Sequence, residues 1–255
     1  MNLTDRTILI TGGSAGIGLA FAQKFLSLGN TVIVTGRNQS KLDAVKAAHP
    51  ELHIIQCDAS KPDDLRALAA RVDADFPKLD VLMNNAGVFI FRNLTKGTDD
   101  LLELTCEIDI NLSGAIRTVS VLIDRLTANR GTLINVSSGL AYVPLQAAPI
   151  YCATKAAIHS YTQTLRQQLR GKVEVIELMP PAVKTDLTAD LPEDGAFTLM
   201  TTEDLVSATF AKLKSGALEI RPGQAGQLHW MSRIAPGFIN GQLEKGSAAL
   251  VPALD

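Results

Sequence analysis

A chain of 255 residues with 46% hydrophobic side chains is long enough for one large α/β domain or two small ones, and it has ample material for a buried core. A net charge of −2 and 5% aromatic residues exclude a basic nucleic-acid surface and a stacking platform for single strands. No apolar run approaches a membrane span, and Met1-Asn2-Leu3-Thr4-Asp5 carries no basic or long apolar leader, so a cytoplasmic protein with no nucleic-acid or membrane partner is expected.

Short apolar, β-rich runs alternate with helix-length amphipathic stretches. The first run, Thr7–Thr11, leads into a glycine turn, and Ile17, Phe21, Phe25 and Leu28 then recur at helical spacing up to a stop at Gly29-Asn30. Thr31–Thr35 is the second strand, followed by a helix capped at Asn38 and closed before Pro50. After the strand Leu52–Gln56, Ser60 with Pro62 opens a third helix, and Asp63-Asp64 complement the dipole of its first turn. Leu79–Asn84 follows, then a helix with Asp99-Asp100 at its start. Gly131–Ser137, Val173–Met179 and Ala217–Ile220 complete the strands, and Thr202 with Glu203-Asp204 opens a late helix.

These strands read as near-continuous apolar runs, as expected where both faces are covered by helices. The alternation predicts a doubly wound parallel sheet with right-handed crossovers. No linker or internal repeat interrupts it, so residues 1–255 are expected to form one domain. Residues 185–201 break the rhythm, with Pro192 and Gly195, and read as a substrate lid. For the tail 236–255 two readings stay open: packing on a neighbouring subunit, or fraying.

Thr11-Gly12-Gly13-Ser14-Ala15-Gly16-Ile17-Gly18 lies between a strand and a helix. Glycines let the backbone approach a pyrophosphate, and the helix N-terminus offers free N–H groups and the positive end of a dipole. An NAD site carries an acid at the end of the second strand. Here Val34-Thr35-Gly36-Arg37-Asn38 has none, and Arg37 supplies a cation suited to a 2′-phosphate. NADP(H) is therefore the expected cofactor, with NAD(H) as the alternative.

Tyr151 and Lys155 lie one helical turn apart on one face. A phenol near pKa 10 is a poor acid at neutral pH, and a neighbouring cation favours the phenolate. Each residue also has an ordinary reading: packing for Tyr151, solvation for Lys155, a turn cap for Ser138, backbone hydrogen bonding for Asn111. His49, His53, His159 and His229 have no ligand spacing, and no metal is expected. His159 reads as a core or interface residue, and Trp230 as packing for the C-terminal segment. Cys57, Cys106 and Cys152 read as reduced thiols.

Taken together these residues resemble the classical short-chain dehydrogenase/reductases over nearly the whole chain. The glycine turn matches that family's cofactor turn, Cys57-Asp58 its adenine-contacting acid, and Asn84-Asn85-Ala86-Gly87 its fourth-strand motif. Asn111, Ser138, Tyr151 and Lys155 fall where its catalytic tetrad falls. Pro62, Ser137-Ser138-Gly139-Leu140-Ala141 and Met179-Pro180-Pro181-Ala182-Val183 are closest to a bacterial oxidoreductase subgroup named after DltE. The family usually has Pro-Gly where Pro180-Pro181 stands, and a second proline removes an N–H and restricts the turn.

The resemblance implies a seven-stranded Rossmann domain and a homodimer or homotetramer paired through the helices around Asn111–Arg125 and Cys152–Arg170. It implies cofactor contacts from Gly12, Ser14, Ile17, Gly18, Arg37, Asp58, Asn85, Ala86, Gly87, Tyr151, Lys155, Val183 and Thr185. It further implies an oxidoreductase acting on a small carbonyl or alcohol. Tyr151 would be general acid and base, Lys155 would lower its pKa, Ser138 would orient the substrate oxygen, and Asn111 would hold a water. The alternative is a non-catalytic NADP(H)-binding sensor or scaffold on the same fold. Substrate selection would lie in Gly139–Pro149 and the lid, where Leu140, Val143, Leu145 and Phe197 point to an apolar cleft.

Overall fold

The computed structural model describes residues 1–95, 97–189, 191, 198–247 and 250. Seven parallel strands, β1 (Thr7–Thr11), β2 (Thr31–Gly36), β3 (His53–Gln56), β4 (Val81–Asn84), β5 (Thr132–Val136), β6 (Glu174–Leu178) and β7 (Glu219–Ile220), form one sheet in the order β3-β2-β1-β4-β5-β6-β7. The helices are α1 (Gly16–Leu26), α2 (Gln39–Ala48), α3 (Pro62–Asp75), α4 (Leu101–Glu107), α5 (Ala115–Ala128), α6 (Pro149–Gln168), α7 (Thr202–Lys214), α8 (Gln224–Ile234) and α9 (Pro236–Ser247). Each strand falls on a run read from the sequence, matching it at β1, running one residue further at β2 and shorter in the other five. The last is halved, from Ala217–Ile220 to Glu219–Ile220, and pairs with Glu177 and Leu178 of β6.

Alternation along β1 explains why apolar residues were needed on both faces. Ile8 and Ile10 pack with Phe21, Phe25 and Phe210 from α1 and α7 on one side, and Leu9 packs with Leu65, Leu68 and Leu122 from α3 and α5 on the other. The Phe25 and Phe210 rings lie 4.8 Å apart. Burying each such side chain contributes roughly 1.5–3 kcal/mol.

Two helix starts differ from the sequence reading. Lys61, not Ser60, precedes Pro62 at the head of α3, because Ser60 donates its hydroxyl to Asp58 at 2.7 Å. Thr201, not Thr202, caps α7, accepting the Asp204 N–H at 3.0 Å. Asn38 caps α2 as expected, accepting the Lys41 N–H at 3.0 Å. Between α4 and α5 the chain widens into a π-helical stretch, Ile108–Gly114, which contains Asn111.

The order reverses between β1 and β4, so the crevice beyond their C-terminal ends is the place where such sheets bind ligands. Of the segment 185–201, Asp186–Thr188 forms a short 3-10 turn, and Val183 bridges Met200 in parallel fashion. Pro192, Gly195 and Phe197 lie outside the described residues. Within the described part of the tail, α9 packs against α8 and Ile239 is buried; residues 248–249 and 251–255 lie outside the described residues. Trp230, expected to pack that segment, is instead 66% exposed. Among the described residues no helix is long and apolar enough to cross a membrane, and no group of acids, histidines and cysteines could hold a metal.

Candidate active site

The glycine turn after β1 is built around Gly12, whose φ of +66° is costly for any side chain. A Cβ there would also come within 2.9 Å of the Ala86 Cα, so the turn and the loop after β4 touch through their backbones. Thr11 sews them together: its Oγ1 accepts the Asn85 and Ala86 N–H groups, each at 3.0 Å. No side chain caps the start of α1 at Ala15, and the N–H groups of its first turn keep their capacity for an anion.

Ser138 comes from the turn after β5, and Tyr151 and Lys155 from α6. Ser138 ends the run after β5 and accepts the Leu140 N–H at 3.1 Å, so the turn cap expected of an ordinary serine is real. Pro149 starts α6, and Tyr151 and Lys155 follow on one face of it. Lys155 Nζ donates to the Val136 carbonyl at 3.0 Å and lies 5.5 Å from the Tyr151 ring centre. The Phe89 ring stands edge-on to Tyr151, with centroids 4.7 Å apart.

Electrostatics here depart from the sequence reading. Burial pushes the Tyr151 phenol up, with Cys152 and Glu107 adding to the rise, and only the hydrogen bond to Ser138 opposes it. Burial pushes the Lys155 ammonium down to about 8. The lysine was expected to lower the phenol, but the same desolvation that raises Tyr151 weakens the charge of Lys155. Asn111 was expected to hold a water. Its side-chain amide holds Val88 at two points, Oδ1 accepting the Val88 N–H and Nδ2 donating to the Val88 carbonyl, both at 2.8 Å, and Nδ2 also donates to the Thr154 hydroxyl at 3.3 Å.

One cavity of about 1100 Å³ joins these parts. Gly12, Ile17, Arg37, Asn85, Ala86 and Gly87 line one end of it; Ser138, Tyr151 and Lys155 the middle; Val183 and Thr185 the side. Ser14, Gly18, Asp58 and Asn111 do not reach its surface. Gly18 sits beneath the turn, where a Cβ would meet the Gly12 carbonyl at 2.4 Å. Ser14 packs under Gly36, and Asp58 is engaged with Ser60. The Pro180-Pro181 departure leaves Ala182 and Val183 on the cavity wall, held by Met200, whose N–H donates to the Ala182 carbonyl at 2.9 Å and whose carbonyl accepts the Lys184 N–H at 2.9 Å.

Several wall residues were missed. Lys41, one turn into α2, joins Arg37 at the β2 end. Its spacing from Arg37 was a usable signal. Leu228, Met231, Phe238 and Leu243 from α8 and α9 form the far wall with Leu140 and Leu145. Their sequence positions carry no chemistry, and only the return of the tail over the β5–α6 loop brings them in. His159 was read as core or interface, and its Nδ1 lies 2.9 Å from the fully buried Glu177, which also accepts the Ser137 hydroxyl at 2.5 Å.

Comparison with known proteins bears on this geometry. Residues 6–196 match the family model described as short chain dehydrogenase. The chain is 40% identical over 224 residues to the uncharacterized oxidoreductase DltE of Bacillus subtilis, covering 86% of this chain and 89% of that protein. Two solved structures share the fold. A short chain dehydrogenase from Burkholderia cenocepacia in complex with NADP superposes with a TM-score of 0.83 at 23% identity, over 95% of this chain and 99% of that one. A short chain dehydrogenase/reductase from Burkholderia phymatum in complex with NAD gives 0.79 at 24% identity, over 95% and 97%. On the family match and the likeness to DltE, the chain belongs to the short-chain dehydrogenase family of oxidoreductases.

Proposed function

We propose that the protein is an NADP(H)-dependent carbonyl reductase or alcohol dehydrogenase with Tyr151 as general acid and base. One observation carries the reading: Tyr151, Ser138 and Lys155 open onto the same cavity as the glycine turn and the cations Arg37 and Lys41. A nicotinamide dinucleotide fits this wall. The uncapped start of α1 and the turn at Gly12 suit a pyrophosphate. Arg37 and Lys41, with no acid at the end of β2, suit a 2′-phosphate. Asn85, Ala86, Gly87, Val183 and Thr185 would hold the remainder, and Lys155 the ribose.

When bound, the nicotinamide supplies hydride exchange at the substrate carbon. Ser138 donates to the substrate oxygen and fixes its place beside Tyr151. Tyr151 gives its hydroxyl proton to that oxygen as negative charge develops there, and takes it back in the oxidative direction. Tyr151 is protonated at neutral pH, the form that reduction needs, and the hydrogen bond from Ser138 opposes the rise that burial imposes on the phenol. Asn111 acts by position, since its amide holds Val88. The expected pairing of subunits is tested by light scattering.

The test follows NADPH and NADH oxidation against ketones, aldehydes, quinones and 3-oxoacyl thioesters, with Tyr151→Phe as control. Turnover with NADPH that falls about 10²–10⁴-fold in Tyr151→Phe supports the reading. Equal turnover in that variant, or none with any class, returns the protein to a cofactor-binding sensor or scaffold.

A further inference from the structure

Glu107 is fully buried on the last turn of α4, yet none of the roles above uses it. Its Oε1 accepts the Ile90 N–H at 3.1 Å, and its Oε2 is buried with no hydrogen-bond partner. It is one rung of a ladder. Glu103 binds the Arg92 guanidinium, with Oε1 at 2.8 Å, Glu107 binds Ile90, and Asn111 binds Val88 on both its N–H and its carbonyl. Every fourth residue of the helix meets every second residue of the segment, in opposite directions. The spacings agree physically: four helical residues rise about 6 Å, and two extended residues span about 6.6 Å.

Gripping alternate residues on one side turns the residues between them to the other. Those residues are Phe89 and Phe91. Their rings meet edge to face at 5.0 Å and pack with Leu145, Ala148 and Cys152, and Phe89 lies across Tyr151. We propose that Glu107 is a positioning residue for Tyr151: through Ile90 it holds Phe89 against the phenol ring, and from α4, packed against α6, its carboxylate supplies a negative charge on the phenol's side of the site. The inference rests on Tyr151 being the proton-transfer group.

The charged neighbourhood gives the sign. Burial pushes Glu107 up to about 7; the Ile90 N–H and Arg92 oppose this, and Glu103 adds to it. Tyr151 and Cys152, on the α6 helix that packs against α4, feel its charge, and Cys106 precedes it on α4. An ionised Glu107 disfavours phenolate at Tyr151, keeping the phenol a proton donor and delaying its use as a base.

The test compares wild type, Glu107→Gln, Glu107→Leu and Tyr151→Phe in acetophenone reduction and 1-phenylethanol oxidation with NADPH and NADP. Glu107→Gln keeps an acceptor for Ile90 and removes the charge. Its kcat/KM at the optimum stays within about threefold of wild type, while the acid limb of its oxidation profile moves about half a pH unit lower, a roughly threefold gain at fixed pH on that limb. Glu107→Leu orphans the Ile90 N–H and lowers kcat about tenfold in both directions.

A Glu107→Gln profile superimposed on wild type, alongside a Tyr151→Phe variant that has lost turnover, overturns the Glu107 proposal alone. Unchanged turnover in Tyr151→Phe instead removes the reading beneath it. If wild type turns over neither compound, thermal unfolding decides. A buried acid raised in the folded state stabilises at low pH and loses that contribution as pH rises through about 7. Wild type then loses more of its midpoint than Glu107→Gln between about pH 5 and about pH 8, and parallel curves overturn the proposal.

Discussion

Thr11 holds Asn85 at two points: its hydroxyl accepts the Asn85 backbone N–H, and its carbonyl accepts the Asn85 side-chain amide, both at 3.0 Å. This pair spans β1 and β4, where the strand order reverses, and it fixes the glycine turn against the opposite wall of the crevice. Thr11→Val keeps the β-branched shape and orphans two N–H groups. It is expected to lower stability by about 1–3 kcal/mol and to weaken NADPH binding, read by denaturant melts and by fluorescence titration of NADPH.

Arg37 and Lys41 are expected to discriminate cofactors. Arg37→Ala should weaken NADPH about tenfold and leave NADH within about twofold, and Lys41→Ala should act in the same direction more weakly. Arg37→Asp combined with Lys41→Ala should reverse the preference. Dissociation constants for NADPH and NADH decide this, and equal losses for both cofactors would remove the 2′-phosphate role.

Lys155 carries a stability cost beside the role proposed for it. Its folded pKa is lowered to about 8, so folding is favoured above its unfolded value, and that contribution is lost as pH falls through about 8. At neutral pH the buried ammonium opposes folding. Lys155→Met should therefore raise the unfolding midpoint near pH 7 while reducing turnover by more than about 10²-fold. The gain should shrink as pH approaches about 10.5. Scanning calorimetry across that range, beside initial rates, separates the two effects.

The far wall of the cavity should set substrate size. A Cβ on Gly139 would meet Leu228 Cδ1 at 3.2 Å, so α8 already lies against the Ser138 turn. Leu228→Ala should raise KM for bulky apolar ketones about fivefold and leave kcat within about twofold, because it removes uniform binding. Gly139→Ala should displace α8 and lower kcat, since the shift reaches Ser138 directly.

The sheet was legible because parallel strands covered on both faces leave unbroken apolar runs such as Thr7–Thr11 and Val81–Asn84. Boundaries at Thr201 and Lys61 were less so. Which of two adjacent hydroxyls caps a helix depends on where a competing acceptor sits, as Asp58 does for Ser60. The local pair Tyr151 and Lys155 was readable from helical spacing, and Ser138 and Asn111 only through resemblance to a family.

What the sequence alone determined was the alternation of elements, the glycine turn, the missing acid at the end of β2 and the order of the site residues. Those are local properties of spacing and residue type. The tertiary structure decided what depends on burial and on distant segments meeting. It raised the Tyr151 phenol and lowered Lys155 by desolvation, engaged the Asn111 amide with Val88 and Thr154, brought α8 and α9 over the cleft, and buried Glu107 against the Ile90 N–H. A carboxylate eighteen places after Phe89 reads as an ordinary helical acid; its burial against the Ile90 backbone in the folded chain removes its water and makes its charge matter.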